Sequence, residues 1–313
     1  MKNNGRILLL GALAMDVTMV TTALPADDGF SVIQREELLP GGSAANVAAA
    51  LARLGAEARL TGQLGDDDFG TAYIQDLKES GIDLSAMLIK SGGVTMHTYV
   101  MVAPGGRHSI LANLGDCIND MTAEQADPMA LEGCCCFYCD MFSSAAALRF
   151  ADLAGERGIP VVYNMQCSPS FMAQCGCGQD QITAIMEKAD LIIGGPGGFS
   201  ELCGEGSAKE MLRRLYSRFH PKDGIIFSLG EQGALWYSEK GAANMPAFKT
   251  DVVDTTGAGD CFAAGLMSRY YAEGASMEEA LRFASAAASL TCRTLGARFR
   301  GSKADVLDFL AAR

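Results

Sequence analysis

The chain has 313 residues, 49% hydrophobic and 20% charged, with 25 Lys+Arg against 37 Asp+Glu for a formal net charge of −12. That is a globular composition with ample material for a core; no apolar run reaches the roughly 18 residues of a membrane span, and the acidic balance argues against broad nucleic-acid binding, which wants a basic face. An acidic protein can still hold a phosphate where backbone N–H groups converge on it, so the charge excludes polyanions but not nucleotides.

At the start of the chain, Lys2 and Arg6 precede "ILLLGALAM", a pattern that a secretory signal shares with a buried first strand. The strand is the expectation. Eleven irregularly clustered cysteines, as in "GCCCFYCDMF" (133–142) and "QCGCGQ" (174–179), point the same way, because they do not resemble the framework of a small secreted scaffold. A metal site at Cys134, Cys135, Cys136 and Cys139 is disfavoured, since neighbouring strand residues face opposite sides and cannot converge on one ion. The cysteines read as small buried hydrophobes in a reduced, cytoplasmic protein.

Further apolar runs at 6–13, 57–65, 134–140, 159–164, 189–195 and 224–230 alternate with helical patterns at 43–54, 70–80, 144–157, 179–188 and 207–219. Buried strands alternating with helices imply a mostly parallel sheet covered on both faces. Residues 16–39 and 93–114 break that rhythm and pair like antiparallel strands, the second around a "PGG" turn at 104–106. They are expected to form a β-lid over a core made of residues 1–15, 40–92 and 115–313. Strands in a lid leave an edge for a second copy, so a homodimer is expected.

Four stretches carry candidate chemistry. Asp16 follows the first strand, at the sheet edge where ligands of open α/β folds bind, and its carboxylate suits a polyol. Gly41 and Gly42 precede an alanine-rich helix that Gly55 ends, leaving N–H groups open to a ligand, with Asn46 one turn in. Asp66, Asp67 and Asp68 stand at a helix start and read as a structural cap before a metal site. In "VVDTTGAGDCFAAGL" (252–266) the N–H groups of Gly257, Ala258 and Gly259 can form a concavity at a helix start, the place for a developing phosphoryl anion. Asp260 then sits where a carboxylate can take the proton of an attacking hydroxyl. Further on, Ser276 and Glu279 have the spacing of a capping box.

With "GGSAANVAAALARLGA", "GDDDFG", "SLGEQGAL" and "LGA" in the same order, "DTTGAGD" resembles the ribokinase-like carbohydrate kinases, the PfkB family, over essentially the whole chain. The resemblance implies a three-layer α/β/α sandwich with a small β-sheet lid and transfer of the ATP γ-phosphoryl group to a hydroxymethyl. By position it implies Asp260 as base, the 257–259 amides as anion hole, and Asp16, Gly41, Gly42 and Asn46 as substrate contacts, with Arg107 in the lid as a further one. Ser228, Gly230, Gly233 and Thr256 would line the nucleotide; Asp254 and Thr256 would sit by a monovalent cation such as K+. Mg2+ is implied as well. One departure is plain: the family's Asn-x-x-Glu, which helps organise magnesium, is replaced by Gly195 and Gly198, with Glu201 three residues further on.

Two alternatives accompany this expectation. A nucleoside kinase is suggested by "NMQCSPSF" (164–171), with Tyr99 as a nucleobase-stacking candidate, and a catalytically decayed sugar-binding regulator by the missing Asn-x-x-Glu. A dinucleotide oxidoreductase is disfavoured further, because "GALAMD" after the first strand has no glycine-rich phosphate turn.

Overall fold

Ile7, Leu8, Leu9 and Leu10 are wholly buried, so the first apolar run is the strand β1 (Arg6–Leu10). The computed structural model describes residues 5–104 and 107–313, leaving aside the His108 side chain. β1 lies inside a nine-stranded sheet of order β13-β12-β11-β10-β9-β8-β1-β4-β5. The other members are β4 (Ala58–Gly65), β5 (Asp83–Lys90), β8 (Cys134–Cys139), β9 (Val161–Met165), β10 (Leu191–Gly194), β11 (Gly224–Ser228), β12 (Ala234–Ser238) and β13 (Gly241–Met245). All neighbours are parallel except the β11–β12 and β12–β13 pairs.

Alternation along these strands divides the core into two. On one face Ile7, Leu9, Cys136, Tyr138 and Ile226 pack against α1 (Ser43–Arg53), α2 (Asp68–Glu79), α8 (Ala258–Met267), α9 (Met277–Thr291) and α10 (Lys303–Ala311). On the other, Leu8, Leu10, Phe137, Cys139 and Phe227 meet α3 (Ser144–Glu156), α4 (Pro169–Gln174), α5 (Gln179–Lys188), α6 (Pro196–Cys203) and α7 (Ala208–Phe219). This is the three-layer α/β/α sandwich. The cysteine run therefore splits, Cys136 to one face and Cys139 to the other, as strand geometry requires. All eleven cysteines are free. Among the described residues, no group of three or more His, Cys, Asp or Glu is placed to hold a metal, and no helix is long and apolar enough to cross a membrane.

A smaller sheet of order β3-β2-β6-β7 is built from β2 (Ala14–Thr21), β3 (Ile33–Gly41), β6 (His97–Val102) and β7 (His108–Asn113). Its two antiparallel pairs are joined by a parallel β2–β6 pairing. Phe30, Val32, Ile33, Ile110 and Leu111 are exposed along it. Positions 105 and 106 of the expected turn lie outside the described residues.

Local signals act as read. Gly55 (φ +82°) follows α1, its N–H donating to the Ala52 carbonyl while Ala56 donates to Leu51, a Schellman closure. Asp67 caps α2, accepting from Gly70 N–H at 2.8 Å and from Thr95 N–H at 2.9 Å. Burial raises its carboxyl and these bonds, with that of the Thr95 hydroxyl, outweigh it and hold it low. Of the aspartate triplet, Asp67 is the structural cap, Asp66 accepts from the Gly92 N–H at 2.8 Å, and Asp68 stands in the first turn. Ser276 and Glu279 make their reciprocal box at the start of α9.

Candidate active site

The strand order reverses between β1 and β8, which places a crevice at their carboxyl ends. Asp140 follows β8 there, fully buried, and accepts from the Ala12 N–H at 3.0 Å and the Phe142 N–H at 3.2 Å. The turn beyond it holds two non-glycine residues in left-handed conformations, Met141 (φ 70°) and Ser143 (φ 65°). Such strain persists only where surrounding structure over-determines it. Burial pushes the Asp140 carboxyl up to about 7 against its backbone donors, with the charge of Asp260 adding to the rise.

α1 enters this crevice directly from β3. Gly42 (φ 86°) is its N-cap, and a Cβ there would lie 2.3 Å from the Ala12 carbonyl oxygen. At Gly41 a Cβ would lie 2.3 Å from Asp16 Oδ2, so this glycine lets the carboxylate approach the helix start. Asp16, on β2 opposite Leu39 and Thr98, accepts from Thr98 Oγ1 at 2.5 Å. Burial raises its carboxyl and the Thr98 bond lowers it, with a net rise.

α8 brings in the other half. Small residues permit close contact with its neighbours: Gly265 packs so tightly on α9 that a Cβ would lie 3.0 Å from the Ala284 Cα. Asp260, in its first turn, is 9% exposed. Ser43 Oγ donates to its Oδ1 at 2.7 Å and Asn46 Nδ2 to its Oδ2 at 2.9 Å. Burial pushes the Asp260 carboxyl up to about 6, partly offset by the Asn46 and Ser43 bonds and the charge of Arg298. Arg298 is held behind the α1 start by the carbonyls of Pro40 and Ala45, both at 3.2 Å, and lies 3.4 Å from Asp76. Asn46 Oδ1 is buried without a partner, an acceptor awaiting a donor. A carboxylate has about four lone-pair sites; two are in use, and two remain for a hydroxyl.

Gly257 (φ 74°) is the α8 N-cap. Ala258 N–H turns to the Thr255 carbonyl at 3.2 Å, whereas the amides of Gly257, Gly259 and Asp260 have no acceptor among the described residues. The expected amide set therefore includes one member, Ala258, that is engaged in the structure. Asp254 stitches the preceding loop to the 292–297 segment: its Oδ1 accepts from Thr256 N–H (2.9 Å) and Oγ1 (2.7 Å), its Oδ2 from Gly296 N–H (2.9 Å). Burial raises Asp254 and these donors bring it below the usual carboxylate range.

Of the expected nucleotide residues, Ser228, Gly230 and Gly233 lie at or just beyond the carboxyl end of β11, whereas Thr256 stands before α8, bonded to Asp254. Ser228 Oγ lies 3.5 Å from the Gly194 carbonyl; Gly230 has φ 58°, and at Gly233 (φ 92°) a Cβ would lie 2.0 Å from the Met245 carbonyl oxygen. Arg107 is exposed directly before β7. Tyr99 packs edge-on to His97 and lies on the face of β6 opposite Thr98, away from Asp16. A cavity of about 410 Å³ between β3 and the C-terminal loop is lined by Arg35, Glu37, Leu38, Leu39, Leu295 and Arg300. The larger one, about 620 Å³ beside α2, includes none of the residues around Asp260. The contributions of Ser43, Tyr138, Asp140, Asn164 and Arg298 were not anticipated; only the position of Ser43 directly after Gly41–Gly42 hinted at one of them.

Comparison with known proteins identifies the family of the chain. Residues 4–304 match the profile of the pfkB family carbohydrate kinases. An ATP-dependent ribose-1-phosphate kinase of Halopiger xanaduensis is 31% identical over 98% of this chain and 99% of its own. A fructokinase-1 of Zea mays is 28% identical over 89% and 91%. The structure of Arabidopsis thaliana ribokinase complexed with ribose and ATP superposes with a TM-score of 0.83 at 23% identity, covering 98% of each chain. The chain belongs to the pfkB family of carbohydrate kinases and is a sugar phosphotransferase.

Proposed function

We propose that the protein transfers the γ-phosphoryl group of ATP to a hydroxymethyl group of a small sugar or sugar derivative. Asp260 takes the hydroxyl proton, the freed oxygen attacks the γ-phosphorus, and the bond to ADP breaks. The open backbone amides of Gly257, Gly259 and Asp260 stabilise the charge on the transferred group, while Ala258 keeps its N–H on the Thr255 carbonyl. The observation that carries this reading is Asp260 itself. It is buried at the start of a helix with open amides, yet retains two acceptor sites beside the unpartnered Asn46 Oδ1. Asp16, with Gly41 making room for it, and Asn46 would receive the sugar hydroxyls, while Ser228, Gly230, Gly233 and Thr256 would receive the nucleotide.

The test is ADP release over free pentoses and hexoses, sugar 1-phosphates and nucleosides. The expected result is turnover with a sugar or sugar phosphate. Turnover with nucleosides alone would establish the nucleoside kinase instead, and tight sugar binding without ADP would establish a regulator.

Magnesium, when bound with ATP, neutralises phosphate charge during transfer. Gly195 and Gly198 offer no side chain for it, and Glu201 is tied to Ser170 N–H at 2.9 Å and Oγ at 2.7 Å. The donor set fits a metal carried in by the phosphates and its own waters rather than a protein cage. A Cβ at Gly195 or Gly198 would have no contact closer than 3.9 Å or 3.7 Å respectively, so side chains can be accommodated there. The double variant Gly195→Asn/Gly198→Glu is expected to lower the half-saturating magnesium concentration roughly 10-fold. An unchanged magnesium titration would show that the metal never meets this segment.

A further inference from the structure

Tyr138 on β8 stands opposite Val162 of β9, and Asn164 follows two residues on along the same face; both side chains are buried under the site. Asn164 Nδ2 donates to the Tyr138 hydroxyl oxygen at 2.9 Å. Tyr138 lies 3.2 Å from Ser43 Oγ, which in turn lies 2.7 Å from Asp260 Oδ1. Chemistry fixes the direction of every link. A carboxylate only accepts, so Ser43 spends its one proton on Asp260; Ser43 Oγ must then accept from Tyr138, whose oxygen accepts from the Asn164 amide. Three donors thus point one way, from the centre of the sheet to the carboxylate.

We infer that Tyr138 and Asn164 are positioning residues for phosphoryl transfer, acting on Asp260 through the Ser43 hydroxyl. The inference rests on Asp260 being the base and adds what holds that base in place. Donors in a chain polarise one another, most strongly where water is excluded. The chain favours the ionised carboxylate in a buried setting that otherwise disfavours it. It also anchors Oδ1 to the buried centre of the sheet, so that the remaining acceptor sites keep a fixed aim at the hydroxyl.

Other groups also face Asp260. Asn46 comes from α1 and donates to Oδ2; Arg298 comes from the C-terminal loop and favours the charged form. Asp140, at the end of β8, feels the charge of Asp260 but hangs on the Ala12 and Phe142 amides outside the chain. Cys261 follows Asp260 in α8, its thiol pushed up to about 12 mainly by burial. Substituting Ser43 therefore probes the chain without touching Asp140.

The experiment is the pH profile of kcat for the wild type, Tyr138→Phe, Ser43→Ala and Ser43→Thr, with Asp260→Asn alongside. Phe keeps the ring and removes only the hydroxyl; Thr keeps the hydroxyl. The expected result for Tyr138→Phe and Ser43→Ala is kcat lower by roughly 5- to 20-fold at pH 7. Their acid limb should move up by about half to one pH unit, with Ser43→Thr near wild type and KM for ATP unchanged in all. Profiles of Tyr138→Phe and Ser43→Ala that superpose on wild type would overturn the inference. So would a drop in kcat with an unmoved limb, which is a packing effect. Should Tyr138→Phe fail to fold, Ser43→Ala and Ser43→Thr decide alone. Undiminished turnover by Asp260→Asn would instead remove the base itself, a separate failure.

Discussion

Asp260→Asn is expected to lose turnover by about 10²–10⁴-fold and, at neutral pH, to melt at a higher temperature than the wild type. Both effects come from the same carboxylate. Folding takes it to 9% exposure and pushes its pKa up to about 6, chiefly by desolvation. A carboxyl with a raised folded-state pKa contributes stability that is present below about 4 and is lost as pH rises through about 6. Above that pH the wild type carries a cost of up to about 3 kcal/mol for charging a buried group, which the neutral amide avoids. Ser43 can still donate to the Asn oxygen. The new NH2 would face Asn46 Nδ2, but Asn46 has an unpartnered Oδ1, and turning its amide over supplies the acceptor. Melting curves from pH 4 to pH 8 check this: the two proteins should converge in acid and separate above pH 6. An Asn variant less stable at every pH would mean that the hydrogen bonds and Arg298 more than offset burial. In the wild type, kcat should fall as pH drops through about 6, where the base becomes protonated.

Legibility from sequence followed locality. The "DTTGAGD" turn, the Gly41–Gly42 entry to α1, the Asp67 cap and the α9 capping box are all made by residues within a few positions of one another. Their local geometry could be read from spacing alone. The central parallel strands were readable because burial on both faces writes a continuous apolar run. β5 was missed because its residues are mostly half-buried or exposed at the sheet edge. The β12–β13 hairpin was missed because it is antiparallel and its last strand is mostly exposed. The donor chain behind Asp260 was not legible for a different reason. Asp260 is 217 positions from Ser43, and Ser43 is 95 positions from Tyr138. Tyr138 is further hidden within a run of cysteines that reads simply as buried strand. Arg298 joins Pro40 and Ala45 from the far end of the chain. Periodicity describes how a strand or helix sits; it says nothing of which polar atom will meet which across the sheet.

Gly257 and Gly259, two positions apart in that legible turn, are expected to fail in opposite ways. At Gly257 the backbone is left-handed (φ 74°), and a Cβ would lie 2.0 Å from the Ala297 carbonyl oxygen. That carbonyl cannot easily retreat, because Asp254 holds the adjoining Gly296 N–H. Gly257→Ala should cost about 2–4 kcal/mol of stability and displace the α8 start, so activity falls with the fold. At Gly259 nothing lies within 4 Å of a Cβ, and the residue is in the first turn of α8. Alanine there is the better helix former by up to about 1 kcal/mol, so Gly259→Ala should be at least as stable as the wild type. Its methyl nevertheless projects beside the open amides, into space that the proposed transferring phosphoryl would use. Roughly 10²-fold or greater loss of kcat, with an unchanged melting temperature, is the expected result. Full activity in Gly259→Ala would mean that the phosphoryl group is bound elsewhere. Equal destabilisation by both substitutions would mean that Gly259 serves the fold, as Gly257 does. The contrast between the two alanines therefore separates the part of this turn that shapes the backbone from the part that leaves room for chemistry.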